Sequence, residues 1–108
     1  MLLKDLQPQA VWEQFEALTR VPRPSKKEER VIEYLIDFAQ RHGIEWQRDE
    51  IGNVVMRKPA TAGYESRPTV ILQSHMDMVC EKDESCSVNM DTDGLDIITH
   101  LPQVRSRA

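Results

Sequence analysis

Thr69-Val70-Ile71-Leu72-Gln73-Ser74-His75-Met76-Asp77 is the stretch on which the fold turns. Its first four residues form a short apolar run rich in β-branched side chains, with Pro68 before it and polar residues after it. That pattern predicts a strand buried on both faces, the kind found in the parallel sheets of α/β proteins. The strand leads directly into His75-Met76-Asp77. In extended backbone, side chains two apart project to the same side, which puts imidazole and carboxylate together. Ligands of open α/β sheets bind at the carboxyl ends of strands. A metal-bound histidine commonly donates its other ring N–H to a carboxylate, so His75 and Asp77 are the right types for a ligand and its orienting partner. Alone, His-x-Asp is a weak motif that a structural histidine at a strand end also satisfies.

Upstream of this stretch the apolar residues follow a helical period. Val11, Phe15 and Leu18 fall at i, i+4 and i+7 with Trp12 beside them, predicting a helix over residues 8–19 with one apolar stripe. Val21-Pro22-Arg23-Pro24 interrupts it, because each proline disfavours helix in the residue before it. Ser25-Lys26-Lys27-Glu28 has the form of a capping box, predicting that Ser25 opens a second helix. Val31, Ile32, Leu35, Phe38 and Ala39 then recur at helical spacing, and His42-Gly43 supplies a stop. After Gly43 the pattern alternates. Residues 44–48 and 54–57 read as two strands joined by the turn Asp49-Glu50-Ile51-Gly52-Asn53. Residues 58–68, with two prolines and a glycine, read as a loop. Two helices, a hairpin and a buried strand are the opening of an α/β layered domain.

The 108 residues suffice for one small domain, and 40% hydrophobic with 30% charged residues is an ordinary globular composition. A net charge of −4 argues against nucleic acid as the main partner, since phosphate binding needs a basic face. No run of apolar residues reaches membrane-spanning length, and Met1-Leu2-Leu3-Lys4-Asp5 lacks the pattern of a signal peptide, so the expected compartment is the cytoplasm. Cys80 and Cys86 match no common zinc-knuckle spacing and are expected as free thiols. Asn89-Met90-Asp91-Thr92-Asp93-Gly94 begins like a calcium loop. Its twelfth position is His100 rather than a bidentate glutamate, and an acidic turn is the expected form. His42 at a helix end complements the helix dipole and is not expected to bind metal.

Two longer segments carry a resemblance. Residues 51–63, Ile-Gly-Asn-Val-Val-Met-Arg-Lys-Pro-Ala-Thr-Ala-Gly, and residues 68–79, ending Gln73-Ser74-His75-Met76-Asp77-Met78-Val79, closely resemble the corresponding parts of bacterial aminoacyl-histidine dipeptidases, also called cytosol non-specific dipeptidases. Glu81-Lys82, Trp12 and Phe15 in the first helix, the Val21-to-Ser25 turn and Glu28 match as well. The resemblance extends over about residues 5 to 95. Related aminoacylases, tripeptidases and succinyl-diaminopimelate desuccinylases share the His-x-Asp step but not the Lys-Pro-Ala-Thr-Ala-Gly loop; carnosinase is a further relative of the family.

The resemblance implies the N-terminal part of a zinc-exopeptidase catalytic domain acting on dipeptides. In that family two zinc ions, or other divalent ions in their place, polarise the scissile carbonyl and activate a water. By position, His75 is a ligand of one zinc and Asp77 the catalytic carboxylate that holds its imidazole. The family's bridging aspartate in Gly-Ala-Asp-Asn-Gly, its Glu-Glu pair, a further aspartate and a distant histidine have no counterpart here. The sequence departs from the family near Ile98-Thr99, giving a peptidase-like segment over 1–98 and a divergent, disordered tail over 99–108. The alternative is a catalytically inactive truncated product, or a small metal-binding or interaction domain. A strand with too few neighbours to cover it implies self-association of the chain.

Overall fold

The computed structural model describes the backbone of residues 3–100 and 103–107, and the side chains of residues 3–98. The α/β class expected from the sequence holds. In chain order the elements are α1 (Gln9–Thr19), α2 (Glu29–Arg41), β1 (Glu45–Arg48), β2 (Val54–Arg57), β3 (Asp96–His100) and β4 (Gln103–Arg107). They form two separate antiparallel hairpins, β1 with β2 and β3 with β4.

Helix α2 is the organising element. Its Val31, Ile32 and Ala39 are all buried, on the face predicted by their spacing. That face packs against the β1–β2 hairpin, whose register pairs Trp46 with Met56 and Gln47 with Val55. Asp49 shapes the turn between the strands. Its Oδ1 accepts the backbone N–H groups of Ile51, Gly52 and Asn53 at 3.0, 2.8 and 2.8 Å, and its Oδ2 accepts the Asn53 side-chain amide at 2.7 Å. Gly52 closes the approach to the helix, with φ +104° and only 3.0 Å between an ideal Cβ there and Ile32 Cδ1. A side chain there is strained by the dihedral and would push Ile32 Cδ1 aside. Arg48 clamps the hairpin to the start of α2 through a bidentate pair with Glu29, both contacts at 2.8 Å.

Helix α1 behaves differently from its sequence pattern. Val11 and Phe15 of the predicted stripe are exposed, and Trp12 meets Phe15 edge to face at a centroid distance of 5.8 Å. The end of α1 is better packed. Thr19 is buried, with its hydroxyl on the Glu16 carbonyl at 2.7 Å, and the Leu95 N–H donates to the Thr19 carbonyl at 2.8 Å. Gly94 permits this approach, since a Cβ there would lie 2.7 Å from the Arg20 carbonyl oxygen. Leu95 and Ile97 complete this second cluster of buried residues.

Three expectations change. The run Thr69–Leu72 is not a buried strand: it makes no strand pairing, and Val70, Ile71 and Leu72 are 80%, 85% and 92% exposed. A doubly covered strand needs layers on both faces, and the helices of this chain are committed elsewhere, α2 to β1 and β2 and α1 to β3. The second helix starts at Glu29 rather than just after Ser25, with Glu28 as N-cap residue and Lys26 at φ +69°. The Glu28 carboxylate accepts the Lys26 N–H at 2.6 Å, so the carboxylate half of the predicted box reaches back one residue short. The segment 99–108, expected as a disordered tail, contains β4, whose residues 103–107 pair with 96–100. The consecutive β-branched residues Ile97 and Ile98 favour extended backbone in β3.

The accessible surface is 8827 Å² for 12.5 kDa. A folded monomer of this mass exposes about 6,200 Å². The radius of gyration, 16.5 Å, likewise exceeds the value of about 13 Å for a compact domain of this length. The excess, roughly 2,600 Å², is larger than the area of about 800 Å² that each partner buries in a standard interface.

Candidate metal-ligand segment

His75 and Asp77 meet as their spacing predicts. His75 Nδ1 lies 2.8 Å from Asp77 Oδ1. An ionised carboxylate can only accept, so Nδ1 carries the proton, and in its neutral form the imidazole then presents its lone pair on Nε2. The His75 side chain is 80% exposed and that of Asp77 30%, so the carboxylate is the more sheltered partner and the imidazole reaches outward. The donor set suits one corner of a divalent-metal site: a directed imidazole nitrogen with a carboxylate behind it. It does not suit a closed site. Among the described residues no three His, Cys, Asp or Glu side chains converge to hold an ion.

Backbone contacts hold this segment against the turn between the helices. The Met78 N–H donates to the Arg23 carbonyl at 2.8 Å, and Pro24 and Met78 form an isolated parallel bridge. That alignment brings Ser25 to Asp77, and the Ser25 hydroxyl donates to Asp77 Oδ2. The hydrogen bond from Ser25, then that from His75, holds the Asp77 carboxyl below the usual carboxylate range. The segment has open space on both sides. One cleft of about 500 Å³ lies between it and Leu18, Val31, Leu35 and Val54; another of about 400 Å³ lies toward Ile32 and Gly52. Arg23 lines the first cleft, where burial lowers its pKa and its guanidinium donates to the Leu18 carbonyl.

Sequence reading missed Ser25 at this site by assigning it to a helix cap. No local signal could have found it, because the contact spans 52 residues. His42 is not brought to the site and packs on Phe38 at the end of α2, with ring centroids 4.3 Å apart. The side chain of His100 lies outside the described residues. Asn89–Gly94 forms the expected acidic turn. Asp93 accepts the Asn89 N–H at 2.9 Å, and Asp91 pairs with Lys27 at 2.7 Å. Cys80 and Cys86 are free thiols. Among the described residues no helix is long and apolar enough to cross a membrane.

In sequence and in fold the chain is similar to part of two dipeptidases. The chain is 45% identical over 80 residues to cytosol non-specific dipeptidase of Escherichia coli (strain K12), a match covering 74% of this chain and 16% of that protein. Its fold superposes on the crystal structure of aminoacylhistidine dipeptidase from Vibrio alginolyticus with a TM-score of 0.92 and 33% identity, over 97% of this chain and 21% of that one. The chain therefore spans about a fifth or less of the length of these relatives. No protein-family model matches it.

Proposed function

We propose that this chain supplies one metal-ligand segment to a cytoplasmic zinc dipeptidase that hydrolyses dipeptides, aminoacyl-histidine dipeptides among them. His75 is the zinc ligand, through Nε2, and Asp77 is the carboxylate that fixes its tautomer and orientation. The observation that carries this reading is the 2.8 Å contact from His75 Nδ1 to Asp77 Oδ1 beside an open cleft. The 45% identity to a protein named as a cytosolic dipeptidase supports both the reaction and the compartment. When bound, a pair of zinc ions polarises a scissile carbonyl and lowers the pKa of a water. The chain's own residues direct one imidazole lone pair and shelter the carboxylate behind it.

A catalytic zinc takes three protein ligands, and this segment offers one. The 108-residue chain by itself is therefore inactive and needs covering chain to complete the site. The exposed Val70-Ile71-Leu72 run and the surplus surface favour self-association when that cover is missing. A chimera tests the reading. Replacing the matched 80 residues of the Escherichia coli enzyme by those of this chain should retain dipeptide hydrolysis, and His75→Ala in the chimera should reduce it to the level of a chelator-treated control. A His75→Ala chimera as active as its parent would remove His75 from the site.

A further inference from the structure

We infer that Ser25 is a positioning residue, whose hydroxyl locks the Asp77 carboxylate in the plane that holds the His75 imidazole. The inference rests on the reading of His75 as a ligand and extends it to a residue 52 positions away.

A carboxylate held by one hydrogen bond turns about its side-chain torsion, and the ring it orients turns with it. Asp77 is held at both ends: Oδ1 accepts from His75 Nδ1, and Oδ2 accepts from Ser25 Oγ. Rotating the carboxylate breaks both contacts together. The donor is neutral, so it fixes the carboxylate without cancelling the negative charge that makes the imidazole a stronger ligand. A lysine or arginine at this place would compete with the imidazole for that charge.

Ser25 is free for this task because α2 begins beyond its reach, with Glu28 as N-cap residue and no side-chain hydrogen bond at the cap. The Glu28 carboxylate takes the Lys26 N–H, the Pro24 carbonyl takes the Lys27 N–H at 2.9 Å, and α2 starts only at Glu29. The position of Ser25 is also fixed from the side of Asp77. The Pro24–Met78 bridge and the 2.8 Å bond from the Met78 N–H to the Arg23 carbonyl align the two backbones one residue away from the side-chain contact.

The test uses the metal-free 108-residue chain with ¹⁵N-labelled histidines, read by NMR at neutral pH. The wild-type His75 should be in the Nδ1–H tautomer. Ser25→Ala should shift it toward the Nε2–H tautomer that free imidazole prefers, Asp77→Ala should complete the shift, and Ser25→Thr should restore the wild-type spectrum. His42, remote from the site, should be unchanged throughout and so reports folding. Where Ser25→Ala disturbs His42, Ser25→Val against Ser25→Thr repeats the comparison at equal volume. Calorimetric titration with zinc should show affinity falling about tenfold in Ser25→Ala, the low end of what losing a partner behind a metal ligand costs. A Ser25→Ala chain with the wild-type His75 tautomer and unchanged zinc affinity would overturn the assignment. The tautomer readout needs no hydrolysis, so an inactive chimera would count against the dipeptidase reading and leave the role of Ser25 standing.

Discussion

Residues 3–57 and residues 58–90 obey opposite rules. The first stretch holds both helices and the β1–β2 hairpin, with Leu3, Val31, Ile32 and Ala39 buried. The second forms no named helix or strand, and it displays its most apolar run, Val70-Ile71-Leu72, to solvent. Both stretches are rich in β-branched and aliphatic residues, so hydrophobicity alone does not separate them. Available partners do. The apolar face of α2 meets a hairpin that follows it directly in the chain, a local pairing. The 69–72 run needs cover on two faces and at two edges, and the described residues bring none of it. The candidate ligand segment sits at the seam, tied to the first stretch through Arg23, Pro24 and Ser25 and open on its other sides.

A matched pair of leucines gives the sharpest test of that contrast. Leu3 is 1% exposed and Leu72 is 92% exposed. Leu3→Ala should cost about 2–5 kcal/mol, as deletion of a buried leucine does. Leu72→Ala should change stability by less than about 0.5 kcal/mol, as an unpacked surface site does. Urea unfolding of both variants reads the difference, and similar costs would break the comparison. Sedimentation should add an opposite ranking: Leu72→Ala weakens self-association, whereas Leu3→Ala does not.

A smaller effect is expected at Gly94. A Cβ there would meet the Arg20 carbonyl oxygen at 2.7 Å, a backbone atom that cannot move aside as a side chain can. Gly94→Ala should cost about 1–3 kcal/mol by overpacking. Thermal unfolding would show it. Gly63→Ala meets nothing within 4 Å but keeps φ +89°, so it isolates the cost of the dihedral from that of the clash.

These sites also show what was legible in the sequence. The α2 face and the β1–β2 hairpin could be read from Val31, Ile32, Ala39 and the Asp49-to-Asn53 turn, because their partners are neighbours in sequence. His75 and Asp77 could be read together because two-residue spacing fixes their common side. Ser25 could not. Its Ser-x-x-Glu signature matches a helix cap, and only the distant Pro24–Met78 bridge redirects the hydroxyl to Asp77. The strand expected at 69–72 failed for the reverse reason, since its pattern was strand-like but pairing depends on chain outside the pattern. On α1, the Val11–Phe15 stripe had helical period and lacked a surface to cover it.

The smallest expected effect is a pH dependence confined to the hairpin turn. Hydrogen bonding from the Asn53 side chain, then from backbone N–H groups, holds the Asp49 carboxyl below its ordinary value. A carboxyl lowered in the folded state contributes stability that is fully present above its unfolded pKa and is lost as pH falls through the folded pKa. Amide exchange at Ile51, Gly52 and Asn53 should therefore accelerate below the ordinary carboxylate range, while amides in the middle of α2 hold until lower pH. Asp49→Ala should make the turn amides fast at every pH and remove that step.

The most direct measurement is anomalous X-ray diffraction at the zinc edge from crystals of the chimeric dipeptidase carrying residues of this chain. A zinc ion at roughly 2.0–2.1 Å from His75 Nε2, with Nδ1 on Asp77, is the predicted result. Zinc bound elsewhere with His75 free, or bound through Nδ1 with Asp77 displaced, would contradict the account.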